Sequence, residues 1–129
     1  MRFGSQNRLH LARDIEFVKK NSAKTDCSAF VFYCLPRPDL KYSRIAIVAS
    51  KKVGNAVVRA YARRIFREIF RASYPDFKIP ADIMVFVRRN YDKFEFQKLH
   101  RKFVKAANKT IDSAFEKMSQ QESSDARES

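Results

Sequence analysis

Tryptophan is absent from this chain of 129 residues, glycine and cysteine appear twice each, and bases outnumber acids nearly two to one. Each shortage excludes something. Cys27 and Cys34 are too few for a disulfide framework, and a reducing compartment would leave both thiols free. No apolar run approaches the length of a membrane span. The opening residues, MRFGSQNRLHLARD, lack the apolar core of a secretory signal. The expectation is a cytoplasmic protein with no membrane partner. The few acids are also scattered. Asp14, Glu16, Glu68, Asp76, Asp82, Asp92 and Glu95 fall in different predicted elements and form no compact set of the kind that holds catalytic ions. No Ser-His-Asp or Cys-His set is visible. His10 and His100 have no partners at ligand spacing, so surface histidines are expected and no metal site built from side chains.

What is present in excess is positive charge. The net charge is +13 and the pI about 10.1, beyond what solubility needs, which implies a polyanionic partner or else a membrane surface. Between Lys41 and Arg71 nine Lys or Arg face a single acid, Glu68. The centre of this region reads SKKVGNAVVRAYARRIFREIFR, Ser50–Arg71. It predicts a strand end, a glycine turn at Gly54, and a helix from about Ala56 to Ser73 with Asn55 as its N-cap. At helical spacing Arg59, Arg63, Arg67 and Arg71 follow at i+4 with Arg64 beside them. Val58, Tyr61, Ala62, Ile65, Ile69 and Ala72 gather on the other side, as the buried face. Arginine forks match phosphate oxygens, and Lys51 and Lys52 beside a helix start strengthen its preference for anions. A solvated basic surface helix is the competing account. The near absence of interleaved acids favours a nucleic-acid surface.

The remaining elements follow from periodicity. A short helix is predicted over Leu11–Asn21, with Leu11, Ile15 and Val18 on one side. Strands are predicted at Ser28–Leu35, ended by Pro36 and Pro38, at Arg44–Ser50, and at Asp82–Arg88, the last apolar enough to be covered on both faces. The helix-bearing link between the last two allows them to run parallel. Tyr74–Pro80 reads as a loop. Asp92 and Glu95 fit the capping of a last helix, whose Phe96, Leu99, Phe103, Ala107, Ala114 and Met118 recur as a buried stripe. The class is α+β, a small sheet packed with helices in the order α-β-β-α-β-α. One domain is expected over residues 1–118, with a polar, unstructured tail over 119–129. Cys34 is expected as a small core residue. Arg88 and Arg89 either extend the basic surface or merely end a strand.

The strand at Ser28–Leu35 has two faces. Phe30, Phe32 and Cys34 point one way; Ala29, Val31, Tyr33 and Leu35 point the other. With the phenylalanines in the core, Tyr33 is either a half-buried rim residue or a platform on which an unpaired base can stack.

The string SKKVGNAVVR, with the RR and RE that follow, resembles the signature of the bacterial ribonuclease P protein component. The likeness extends from NRL at Asn7–Leu9, through FVFYCL at Phe30–Leu35, to about Lys109. One departure stands inside the motif: Ala60 and Tyr61 replace the asparagine and second arginine of the family's R-N-R. The resemblance implies a left-handed crossover at the arginine helix and a small additional strand pairing. It implies a subunit of a ribonucleoprotein that removes the 5′ leader of precursor tRNA, with the catalytic site in the RNA. Lys51, Lys52, Asn55, Arg59, Arg63, Arg64 and Arg67 would hold the catalytic RNA. Ile15, Lys19, Val31 and Tyr33 would meet the leader, Ile15 and Lys19 standing where relatives often carry Phe. Mg²⁺ would be required, held mainly by the RNA, with no organic cofactor and no protein partner.

Two other functions fit part of the sequence. A basic RNA-binding protein of ribosomal or chaperone-like kind accounts for the charge but not for SKKVGNAVVR together with FVFYCL. A DNA-binding domain could use the arginine helix in a major groove, but no helix-turn-helix pair accompanies it.

Overall fold

The computed structural model of the chain describes residues 12–128. The NRL string, His10 and Leu11 lie outside the described residues. Three helices, α1 (Ala12–Asn21), α2 (Ala56–Ser73) and α3 (Phe96–Glu128), surround a sheet of four strands. These are β1 (Ala23–Asp26), β2 (Phe30–Pro36), β3 (Arg44–Val48) and β4 (Ala81–Val87), in the spatial order β1-β2-β4-β3. The pairs β1–β2 and β2–β4 are antiparallel, while β3 and β4 run parallel, with α2 in the connection between them.

The four-residue strand β1, AKTD, has no counterpart among the elements expected from periodicity. It is too polar and too short to announce itself, and it exists because β2 offers it an edge. A tight turn joins the two. Ser28 takes a positive φ of 68°, its N–H donates to Asp26 Oδ1 at 2.9 Å, and Cys27 N–H donates to the Phe30 carbonyl. Arg88 then clamps Asp26 bidentately at 2.8 and 3.0 Å, which gives this arginine a structural partner. The turn also corrects one facing. Ala29 is buried in the main core, because strand alternation begins only at Phe30.

The main core lies on the sheet face that α2 and α3 cover. Phe30 meets Phe66 of α2 edge-on at 4.9 Å, and Phe32 meets Phe103 of α3 at 5.1 Å. Cys34 is buried with them. Each such ring is worth about 3–5 kcal/mol if cut back to alanine. The buried face of α2 is Ala62, Phe66, Ile69, Phe70 and Ser73, whereas Tyr61 and Ala72, expected inside, are exposed. Two phenylalanines bring more apolar surface than the smaller residues and turn the helix toward the sheet and α3. In α3 the buried stripe is Leu99, Phe103, Ala106, Ala107 and Ile111; Phe96 and Met118, expected within it, are exposed. His100, expected at the surface, is half-buried with Nε2 3.1 Å from Ser73 Oγ. The α3 backbone continues to Glu128, where an unstructured tail was expected from Ser119. That stretch is polar, but it holds Gln, Glu, Ala and Arg and no Gly or Pro to end a helix.

A buried carboxylate ties the sheet together. Asp82, at 0% exposure in β4, accepts from Arg44 Nε and Nη2 at 2.7 Å each and from Arg37 Nη1 at 2.9 Å. Removing one side of such a buried pairing costs about 3–5 kcal/mol, because a desolvated charge is left alone.

Candidate nucleic-acid interface

The turn that launches α2 is built around Gly54. Its φ is +157°, and a Cβ placed there would lie 2.9 Å from Val58 Cγ1 and 3.0 Å from Val58 Cβ. Valine branches at Cβ and has little room to give, so glycine is required. Asn55 caps the helix as its sequence position predicts. Its backbone is extended, and its Oδ1 accepts from Val58 N–H at 3.0 Å. With no acid in the first turn, the positive end of the helix stays uncompensated. Lys51 and Lys52 are exposed just before it. Arg89 joins them, donating from Nε to the Lys52 carbonyl at 3.3 Å, so that the end of β4 adds to the basic turn.

The arginines of α2 follow one flank of the helix. Arg59 is half-buried at the edge of the core, and its Nε is buried without a hydrogen-bond partner among the described residues. Arg63 and Arg67 come next, also half-buried, with Arg67 Nε donating to the Arg63 carbonyl at 3.3 Å. Arg64 and Arg71 are exposed. The acid Glu68 reaches Arg64 at 3.4 Å, a loose exposed pair. Half-buried guanidiniums are the better-aimed ones, since neighbours restrict their rotamers before any ligand arrives. Lys51, Lys52, Arg59, Arg63, Arg64 and Arg67 thus share the turn and one helix. Asn55 sits among them with its side-chain oxygen already engaged as a cap.

The opposite sheet face is only partly covered, by α1. Val18 and Met84 are buried there, with Ile15, Tyr33, Leu35, Ala46 and Phe86 partly buried around them. Tyr33 meets Phe86 edge-on at 5.5 Å and 71°. Lys19 Nζ lies 5.4 Å from the Phe86 ring centre, and Lys24 Nζ lies 6.0 Å from that of Tyr33. Val31 is the register partner of Phe86. Of the residues expected in this cleft, Lys19, Val31 and Tyr33 are gathered around one ring, while Ile15 helps floor the packing of α1. Phe86 and Lys24 are additions. Alternation within DIMVFV puts Met84 and Phe86 on one face, but which face depends on the β2–β4 register. Lysines over aromatic rings make a surface that suits stacked bases and their phosphates together.

Among the described residues no three His, Cys, Asp or Glu side chains converge as metal ligands would. Cys34 is sealed in the core, where burial pushes its thiol up to about 12, far from a nucleophile's range. The Tyr91 phenol is also raised, first by burial and then by Asp92, and its hydroxyl donates to the Val58 carbonyl at 3.0 Å.

Comparison with known proteins agrees with this arrangement. Residues 3–111 match the family model described as Ribonuclease P. The chain is similar to the ribonuclease P protein component of Petrotoga mobilis, at 28% identity over 111 residues, covering 83% of this chain and 93% of that one. It is 31% identical over 101 residues to that of Alkaliphilus metalliredigens, covering 74% and 90%. Among solved structures, the Thermotoga maritima RNase P protein superimposes with a TM-score of 0.68 at 27% identity, covering 79% and 96%. The Staphylococcus aureus RNase P protein gives 0.69 at 24% identity, covering 81% and 97%, a likeness of fold.

Proposed function

Because this chain belongs to the bacterial ribonuclease P protein family, we propose that its two basic faces divide the work of a holoenzyme subunit in tRNA 5′ processing. The turn and the arginine flank of α2 grip the catalytic RNA. The ring-and-lysine cleft under α1 receives the single-stranded 5′ leader of precursor tRNA. The observation that carries this is the separation itself: the arginines ride on a helix covering one sheet face, and Tyr33 opens on the other.

The chemistry assigned to each residue follows from its surroundings. Arg63, Arg64 and Arg67 supply guanidinium forks to phosphates. Lys51, Lys52 and the start of α2 hold a further phosphate, and Asn55 keeps that helix end in place rather than touching RNA through its capped oxygen. In the cleft, Tyr33 stacks on a leader base while Lys19 and Val31 flank it, with Ile15 fixing α1 beneath. The protein raises the local concentration and alignment of the substrate; bond cleavage belongs to the RNA. Mg²⁺ is assigned to the RNA as well, since the described residues offer no cage of hard oxygen ligands. Bound there, it would activate water and neutralise charge on the scissile phosphate.

Salt tests the assignment of α2. Affinity for the RNA subunit should fall steeply with salt, and Arg63→Ala or Arg67→Ala should each flatten the log–log slope by about 0.7–0.9, one phosphate's worth of released counterions. Wild-type slopes in both variants would exclude α2 as the RNA-facing surface.

A further inference from the structure

Tyr61 occupies the place in α2 where an arginine would continue the basic motif, and it is left 57% exposed. It does not stand alone. Together with Phe94 and Phe96, at the entrance to α3, it lines a cleft of about 340 Å³ between the two helices. Phe96 is 43% exposed, so two rings lining the cleft are presented to solvent. The volume falls in the range of small-ligand sites.

The polar groups of the cleft say what kind of occupant fits. Glu68, Asp92 and Arg64 all line it, Arg64 Nε lying 3.4 Å from Glu68 Oε1 in a loose pair that an incoming nucleotide can open. Two carboxylates repel a phosphate, but they are good acceptors for the N–H groups on a base edge. The rings offer a face for stacking. Arg64 lies on the boundary with the arginine flank, where it can hold the phosphate of the same nucleotide. Apolar floor, acidic wall and cationic lip together match one nucleotide turned out of its strand, with the base inward and the phosphate outward.

We propose that the cleft between α2 and α3 is a pocket for an unpaired base of the RNA subunit, with Tyr61 as its stacking platform and Asp92 and Glu68 as acceptors for its amino edge. This rests on α2 facing the RNA subunit, and it replaces an ionic contact at residue 61 with a non-ionic one.

The absence of tryptophan makes the test direct, because Tyr61→Trp installs a single indole reporter. Adding the cognate RNA subunit should quench its emission and shield it from acrylamide. Tyr61→Ala should weaken RNA-subunit affinity by about 5- to 150-fold, the worth of one base–aromatic stack, with the salt slope unchanged, and Tyr61→Phe should restore most of the loss. Its exposure makes all three variants tolerable to the fold, which thermal melts would check. Unchanged emission and unchanged Tyr61→Ala affinity, with Arg63→Ala still flattening the slope, would overturn the pocket and leave the RNA-facing assignment of α2 standing. If Arg63→Ala left the slope unchanged too, both would fall. An emission change with protein concentration alone would give the cleft to a second copy of the chain, and the proposal would fail.

Discussion

Replacing Tyr33 with alanine separates two quantities that a single activity assay would merge. The first is stability. A tyrosine side chain buries roughly 150–250 Å² when fully covered, and Tyr33 is mostly covered. At ~25 cal/mol per Å² the lost burial is about 2.5–5 kcal/mol, and the edge-on contact with Phe86 at 5.5 Å adds about 0.5–1.5 kcal/mol. The variant should therefore unfold at lower denaturant by a clear margin, without loss of the main core, which lies on the other side of the sheet. The second quantity is leader binding. One base–ring stack is worth about 1–3 kcal/mol, so holoenzyme affinity for precursor tRNA should drop about 5- to 150-fold. Affinity for mature tRNA, which has no leader, should hold, as should assembly with the RNA subunit. Tyr33→Phe keeps the ring and should restore the precursor preference. The assay is equilibrium binding of both tRNAs to holoenzyme assembled with each variant, under conditions where melts show it folded. Equal losses for precursor and mature tRNA would refute a leader-specific role. A Tyr33→Phe variant as defective as Tyr33→Ala would refute stacking.

Three further outcomes follow from local geometry. Gly54→Ala should cost about 2–4 kcal/mol in urea unfolding, from backbone strain at a positive φ and from the overlap with Val58, and should lower RNA-subunit affinity by displacing Lys51 and Lys52; wild-type stability would contradict the strain. The Asp26 carboxyl is held below its ordinary value of 3.8, chiefly by the Arg88 hydrogen bond and then by the Ser28 N–H, so its contribution to stability is present above that pH and is lost as pH falls through the lower folded value. Asp26→Asn should therefore be less stable than wild type near neutrality, with the gap closing in melts carried down to about pH 2; a gap independent of pH would place the effect elsewhere. Cys34 should resist thiol reagents at about pH 8 until the protein unfolds, and native-state labelling at that position would contradict its burial.

The helix of arginines was legible to the residue. Asn55, Gly54 and the apolar spacing after them use local rules, and local rules suffice for a capped amphipathic helix. Its rotation was harder. Periodicity alone weighted Tyr61 and Ala72 with the buried side, whereas Phe66 and Phe70 set the face once α3 and the sheet were in place. β2 was legible because Phe30, Phe32 and Cys34 alternate with Val31, Tyr33 and Leu35 over a full strand. β1 was not, since a four-residue, mostly polar run acquires strand geometry only from the neighbour it pairs with. The cleft was half visible for the same reason. Tyr33 could be placed from its own strand, but Phe86 becomes its neighbour only through a register 53 residues apart in sequence. The Asp26–Arg88 clamp and the Asp82 pairing depend equally on contacts that no sequence window contains.

The position of Asp82 bears on the order in which the molecule can assemble. β2 and β3 have no ladder with each other; both are hydrogen-bonded to β4, the last of the described strands in chain order. Arg37 has a second, local carboxylate in Asp39, two residues on, but the buried one it shares with Arg44 comes only with β4, and the arginines of α2 are already in the growing chain. The sheet closes only when residues 81–87 arrive and slot between strands made earlier, and with them comes the carboxylate that draws both guanidiniums to one point. The β1–β2 hairpin is local, but closure of the full sheet is a late, long-range event. A nascent chain stopped short of β4 would be a strongly basic polymer without its scaffold, open to any polyanion it met first.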